Sequence, residues 1–354
     1  MRSGMWLAFA SWLVVACKTT SSVPVQDESS IVTDDDGPFD PKTADGIEGF
    51  FMRAVDSRPA RPARRAVFLK PHGCATATFE VLPDLPAKYK VGLFATPGAH
   101  RAWTRHSSDT VPQTRDQKNN TIGFAVKVLD VPGTKILAGE EQFTTHDFLM
   151  QNINVFFSDT AADFLAFNDA AFSGKLDDYL AKHPRTDQIL TAMEKPLENV
   201  LGSRYWSTTP YKFGDKDYAK YTAKPCSAPA AEAIPADDSN YLRTRLVRDL
   251  KANEACFELQ VQLRGTPAAE FPLDQATVEW DETKSPPQTV AKITIAKQDI
   301  DQNEQQCENM SFTAWHALPE HRPVGSINKA RGLVYKHLAD LRRSRNNIPL
   351  TEPQ

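Results

Sequence analysis

The stretch 256–264 puts Phe257, Leu259, Val261 and Leu263 on one side of an extended chain and Glu258, Gln260 and Gln262 on the other. A period of two suits a strand with one buried face, and a helix, with its period of 3.6, cannot use it. The pattern recurs along the chain. Ala75, Ala77, Phe79 and Val81 share one face of a second strand, and Val91, Leu93 and Ala95 one face of a third. Residues 102–107, 148–153, 277–281 and 290–296 read as further strands, and 121–129 (TIGFAVKVL) is apolar enough to be covered on both faces. Helical spacing is found at 160–172, 175–182, 187–194, 241–251 and 328–343. Strands interrupted by helices in this order predict an α+β fold, a closed antiparallel β-barrel with helical insertions and a C-terminal helix. The 25 prolines outnumber the 16 glycines, which points to long, stiffened connections rather than a helical bundle. Lys and Arg number 41 against 45 Asp and Glu, a net charge of −4 that excludes an electrostatic nucleic-acid binder.

The N-terminus has a different character. Arg2 precedes an unbroken apolar run at 5–16 (MWLAFASWLVVA), twelve residues where a spanning helix needs about 20. The run therefore reads as the core of a signal peptide, residues 1–16. It ends in Leu13-Val14-Val15-Ala16-Cys17, which resembles a bacterial lipobox with Cys17 as the lipidated residue. Residues 17–46 are rich in Ser, Thr, Asp and Pro and are expected to be a flexible tether, followed by a folded domain at 47–345 and a tail at 346–354. The expected location is the cell envelope, lipid-anchored, with Lys18 favouring the outer membrane facing the periplasm or exterior. Five cysteines then divide into Cys17 and a set of four, Cys74, Cys226, Cys256 and Cys307, which could pair in three ways in an oxidising compartment.

The final helical segment carries the most chemistry. Ala330, Leu333, Val334, His337, Leu338 and Leu341 form one stripe, and Arg331 stands one turn before Tyr335. A phenol titrates near 10, so a phenolate is available at neutral pH only where a fixed cation favours it, as Arg331 could. Other chemistries lack their motifs. His316 and His321 are five apart with Pro319 between them, poor chelate spacing, and there is no CxxC, HExxH, GxSxG or phosphate-cradling glycine loop.

Taken together, KPHGCATATFEVLPDLP, VGLFATPG, AWTRHSS, GFAVKVLDVPG, HDFLMQNINVFFSDTAADFLAF, RYWSTTPYKFG, ATVEWDE and CENMSFTAWHALPEHRPVGSINKARGLVY resemble the catalase superfamily, in particular its short bacterial catalase-like haem proteins, over about residues 64–343. The resemblance implies haem b as cofactor, with iron held by Tyr335 and with Arg331 completing the Arg-x-x-x-Tyr motif. It also implies that Arg105 and Arg65 meet haem propionates, that Ser107 supports the distal histidine, and that Phe164 stacks on the porphyrin.

The distal side departs from the family. Where relatives carry the distal histidine this chain has Phe68, or Leu69 when counted back from Phe79-Glu80-Val81, and neither takes a proton. His72 is the nearest histidine, but four residues along a strand span roughly 13 Å, so it could substitute only through a shift or bulge. The active-site asparagine falls on Gln151, with Asn152 beside it, and Gly123 stands where relatives have Arg. The expectation is a haem protein acting on hydrogen or organic peroxides with reduced catalase efficiency, or alternatively a haem-binding or sensing lipoprotein without that chemistry. Lacking the arms and extensions of full-length catalases, it is expected to be a monomer or weak dimer.

Overall fold

The computed structural model describes residues 38–56, 62–118 and 121–353. The signal-peptide segment, Cys17 and residues 17–37 of the expected tether lie outside the described residues.

Among the described residues nine strands form one sheet: β1 (Lys70–Val81), β2 (Gly98–Ser108), β3 (Ile122–Val128), β4 (His146–Gln151), β5 (Tyr205–Trp206), β6 (Tyr211–Phe213), β7 (Asp217–Pro225), β8 (Ala255–Leu263) and β9 (Gln288–Ile295). Their order is β5-β4-β3-β2-β1-β9-β8-β7-β6, and β5 also pairs with β7. Eight strands therefore close into an antiparallel barrel, with β6 added outside the ring on β7. Between and after them come helices α1 (Pro41–Asp56), α2 (Ala161–Phe172), α3 (Leu176–Lys182), α4 (Pro184–Met193), α5 (Tyr241–Ala252), α6 (Glu304–Asn309) and α7 (Ser326–Asn346). The α+β barrel expected from the alternation is thus the fold.

The pleat decides what faces where. Ile122, Phe124, Val126 and Val128 of β3 join Phe148 and Met150 of β4 in the core that fills the barrel. The intervening Gly123, Ala125, Leu149 and Gln151 face outward and are covered by helices, which is why β3 is apolar on both faces. Most strands follow the alternation, with two corrections. Residues 92–94 form a 3₁₀ turn rather than a strand, with Gly92 at φ 49° and Leu93 and Phe94 buried. Residues 277–281 form an irregular loop held by Thr277 N donating to Asp159 Oδ1 (3.1 Å) and Trp280 Nε1 donating to the Pro272 carbonyl (3.2 Å). In the other direction, α1 begins at Pro41, so residues 41–46 of the expected tether are helical, and Ala44, Ile47 and Val334 of α7 belong to one apolar cluster.

The cysteines pair as Cys74–Cys307, which ties β1 to α6, and Cys226–Cys256, which joins the end of β7 to the start of β8. Their Cα separations of 5.6 and 5.4 Å are ordinary for disulfides.

Candidate functional site

A cavity of about 330 Å³ lies between the outer face of β2–β4 and helices α1, α2 and α7. That volume is at the lower end of the range, roughly 300–1,000 Å³, that small-molecule and cofactor sites occupy. Ten phenylalanines are among the residues that line it, including Phe51, Phe68, Phe156, Phe157, Phe164 and Phe312, so its wall is rich in aromatic rings.

One wall is α7, which presents Ala330, Arg331, Val334, Tyr335, Leu338 and Arg342. The helix starts after Gly325 (φ 86°), and Ser326 donates through its amide (2.6 Å) and hydroxyl (2.7 Å) to Asp274 Oδ1. Asn328, fully buried, donates to the Pro210 (2.9 Å) and Val324 (3.0 Å) carbonyls, while its Oδ1 accepts from Thr209 (3.0 Å) and Arg331 Nη1 (3.1 Å). The helix comes close to Trp315 because Gly332 has no side chain: a Cβ there would lie 2.7 Å from the indole nitrogen, which donates to the Asn328 carbonyl (2.8 Å). This packing fixes Arg331 beside Tyr335, with its guanidinium carbon 5.3 Å from the ring centroid. Burial alone would pull Arg331 down, but the phenols of Tyr335 and Tyr211 outweigh it and hold the guanidinium above its ordinary value.

The opposite wall is the outer face of the sheet. Register places Ser107, Gly123 and Gln151 in one row across β2, β3 and β4. Arg105 Nη1 donates to Ser107 Oγ (2.7 Å) and Nη2 to the Phe68 carbonyl (2.9 Å). Phe68 adopts φ 49°, and its ring lies on Gly123, where a Cβ would be 2.7 Å from the ring's Cδ1. Phe68 and Gly123, the two positions at which the sequence differs from the pattern it resembles, therefore touch: one ring fills the space that the other position leaves empty.

Charge accumulates at the end of the cavity nearest α6. Arg65, Arg105 and Arg342 gather there around the single carboxylate of Glu308. Arg65 donates to the Cys307 (3.0 Å) and Met310 carbonyls, and Arg342 Nη2 to the Met310 carbonyl (2.9 Å). Burial and the neighbouring guanidiniums depress Arg105 well below its usual value and bring Arg342 down to about 9. Arg105 Nε is buried with no hydrogen-bond partner. Three buried guanidiniums against one carboxylate, with a donor left over, suit an anionic group.

The structure thus brings Tyr335, Arg331, Arg105, Ser107, Arg65, Phe68, Phe164 and Gln151 to one cavity. It places His72 and Asn152 elsewhere. His72 is the extra residue of a β-bulge between Pro71 and Gly73 of β1, and that bulge turns it to Ser108 Oγ (2.8 Å), away from the cavity-lining face. Burial and the nearby cations keep its imidazole well below the ordinary histidine range. Asn152 is occupied with the main chain, accepting at Oδ1 from the Ile122 amide (2.8 Å). Sequence reasoning passed over Asp109 and Thr121, which also line the cavity. Alternation from Arg105 and Ser107 would have pointed to Asp109. It also passed over Ile47, Phe50 and Phe51 of α1, which stand at the start of the expected folded domain, where no helix was read.

No family model matches the chain, and no curated protein matches it. Solved structures do. A fungal catalase crystal structure is 17% identical with a TM-score of 0.66, covering 84% of this chain and 62% of that one. Catalase A from Saccharomyces cerevisiae is also 17% identical, with a TM-score of 0.64, covering 84% of this chain and 64% of that one. The chain spans somewhat less than two thirds of those proteins, and at this identity the likeness shows a catalase-like fold.

Proposed function

We propose that the protein binds haem b in this cavity, with iron on Tyr335, and acts on hydrogen or organic peroxides with reduced catalase efficiency. The observation that carries the reading is the pairing of a phenol and a buried guanidinium on α7 with an aromatic cavity that ends in an excess of buried arginines. The donor set fits a porphyrin. Tyr335 offers an oxygen ligand, Arg331 the cation that favours its ionised form, Arg65 and Arg105 partners for carboxylates, and Phe164 an apolar surface. When bound, the iron would supply the redox chemistry. The chain's own part is to orient Tyr335 through Asn328 and Arg331, to exclude water with the phenylalanines, and to position small polar ligands near Ser107 and Gln151.

Phe68 is the reason for reduced efficiency. Moving a proton between peroxide oxygens through a positioned base is worth typically about 10² to 10⁴ in rate, and a phenyl ring contributes none of it. The same residue supports a second reading, a haem-binding or sensing protein of the cell envelope without peroxide chemistry. A lipid anchor at Cys17 and an envelope location belong to both readings and rest on the lipobox-like segment alone.

Titration of the purified protein with haemin should give a Soret band of a tyrosinate complex, and Tyr335→Phe should abolish or shift it. An unchanged spectrum in that variant removes Tyr335 as ligand. Oxygen release or dye oxidation from peroxide, above that of free haemin, separates the enzyme from the carrier.

A further inference from the structure

None of the eight histidines lines the cavity, and among the described lining residues Asp109 is the one carboxyl group. Asp109 follows β2 directly, and its amide donates to the Thr121 carbonyl (3.1 Å), so the β2–β3 pairing runs one step further. Strand alternation then sets Arg105, Ser107 and Asp109 on the same face, the one that borders the cavity. Asp109 Oδ1 and the hydroxyl of Thr121, its neighbour across the pairing, are both buried without a well-formed hydrogen bond, although Thr121 lies close enough to draw the carboxyl's proton affinity down in part against the larger effect of burial. Two buried polar atoms with hydrogen-bonding capacity left over at the wall of this largely apolar cavity suit a small polar molecule.

We propose that Asp109 is the proton-exchanging group of this cavity, receiving the proton of a hydroperoxide or another small weak acid as its anion is delivered to the site. This rests on the haem reading above and supplies the function that Phe68 lacks. In the step, the O–H bond of the hydroperoxide breaks, the proton passes to the Asp109 carboxylate, and the electron pair stays on the peroxide oxygen. Nothing is oxidised or reduced, and the reverse transfer restores the carboxylate.

The setting suits the role. Loss of solvent pushes the Asp109 carboxyl up to about 6, so it exchanges protons near neutrality, where a general base works best. The charged groups around it are engaged elsewhere. Arg105 points to Ser107 and Phe68, Arg65 and Arg342 surround Glu308, and Lys70 is paired with Asp116 beyond the end of β2. Desolvation, not a charged neighbour, therefore sets its proton affinity.

The test has two arms. Infrared titration of the haem-free protein should show a protonated carboxyl band that disappears with a midpoint near pH 6 and is missing from Asp109→Asn. In the haem-loaded protein, Asp109→Asn should slow association of hydrogen cyanide at pH 7 at least tenfold with the Soret band unaltered, and Asp109→Glu should recover part of the rate. Absence of the titrating band, or a cyanide rate unchanged in Asp109→Asn, overturns the proposal while leaving haem binding intact. Failure of the wild-type protein to take up haemin overturns the haem reading and this inference with it.

Discussion

On the α7 wall of the cavity Arg331 is held by Asn328 and Thr209, and Asn328 in turn by two main-chain carbonyls; on the strand wall Phe68 lies against the bare Cα of Gly123, and Asp109 keeps an oxygen with no partner. The first wall is over-determined, since several hydrogen bonds must break before Arg331 can turn away from Tyr335. The second presents a ring packed on a glycine. Different elements supply the two walls, α7 the one and the sheet with the segment before β1 the other, so one can be rigidly hydrogen-bonded while the other varies.

The sharpest way to break this contrast is Phe68→His. The backbone there already sits at φ 49°, a region where histidine is enriched over other non-glycine residues, so the substitution needs no rearrangement of the chain. Peroxide turnover of the haem-loaded variant should rise by about 10² to 10⁴, the usual worth of a positioned base. A variant that binds haem normally and turns over peroxide no faster would mean that this wall does not meet the substrate.

A smaller effect tests whether Phe68 and Gly123 act as one unit. Adding a methyl at Gly123 brings Cβ within 2.7 Å of the Phe68 ring, closer than real contacts, and the ring is too bulky to yield at its tip. Gly123→Ala should cost about 1–3 kcal/mol in urea unfolding, the range for overpacking. In the double variant with Phe68→Ala most of that cost should vanish, giving a coupling of about 1 kcal/mol or more. Additive losses would show that the contact is incidental.

The two walls also differ in how far they could be read from the chain. The barrel was legible because alternation such as Phe257, Leu259 and Val261 is a local signal. Strand β7 was not recognised, since its inward positions include Ala219 and Ala223, whose small side chains leave little pattern, and Lys220 is buried on the other face. Helix α1 escaped because Ser, Thr, Asp and Pro dominate the segment before it, although Ala44, Ile47 and Phe50 recur at helical spacing. For the α7 wall a four-residue spacing, Arg331 to Tyr335, was sufficient. The strand wall joins residues from 105 to 151 through sheet register and adds Phe68 from the segment before β1, and the absence of a histidine there was visible only as a mismatch with the pattern the sequence resembles. Its structural partner, the bulge that turns His72 to Ser108, depends on how β1 pairs with β2, which no local pattern encodes. The choice among three disulfide pairings is of the same kind.

The smallest expected effect concerns the strand wall's stability rather than its chemistry. The Asp109 carboxyl titrates at about 6 when folded against an ordinary value of 3.8, so the folded chain binds this proton more tightly than the unfolded one. For such a raised acid the stabilisation is full below pH 4 and is lost as pH rises through 6. Above that the native state carries a buried, poorly solvated carboxylate. Two pK units correspond to about 3 kcal/mol, and partial exposure of the side chain reduces this to about 1–2 kcal/mol. Asp109→Asn removes the titration, so it should be more stable than wild type by that amount at pH 7.5 and no more stable at pH 3.5, as read from urea midpoints at the two pH values. Destabilisation of the variant at pH 7.5 would mean that the carboxylate is favoured by a charge not identified around it. A gain at neutral pH would instead show a group kept at a cost to the fold, as expected of a site retained for proton exchange and not for packing.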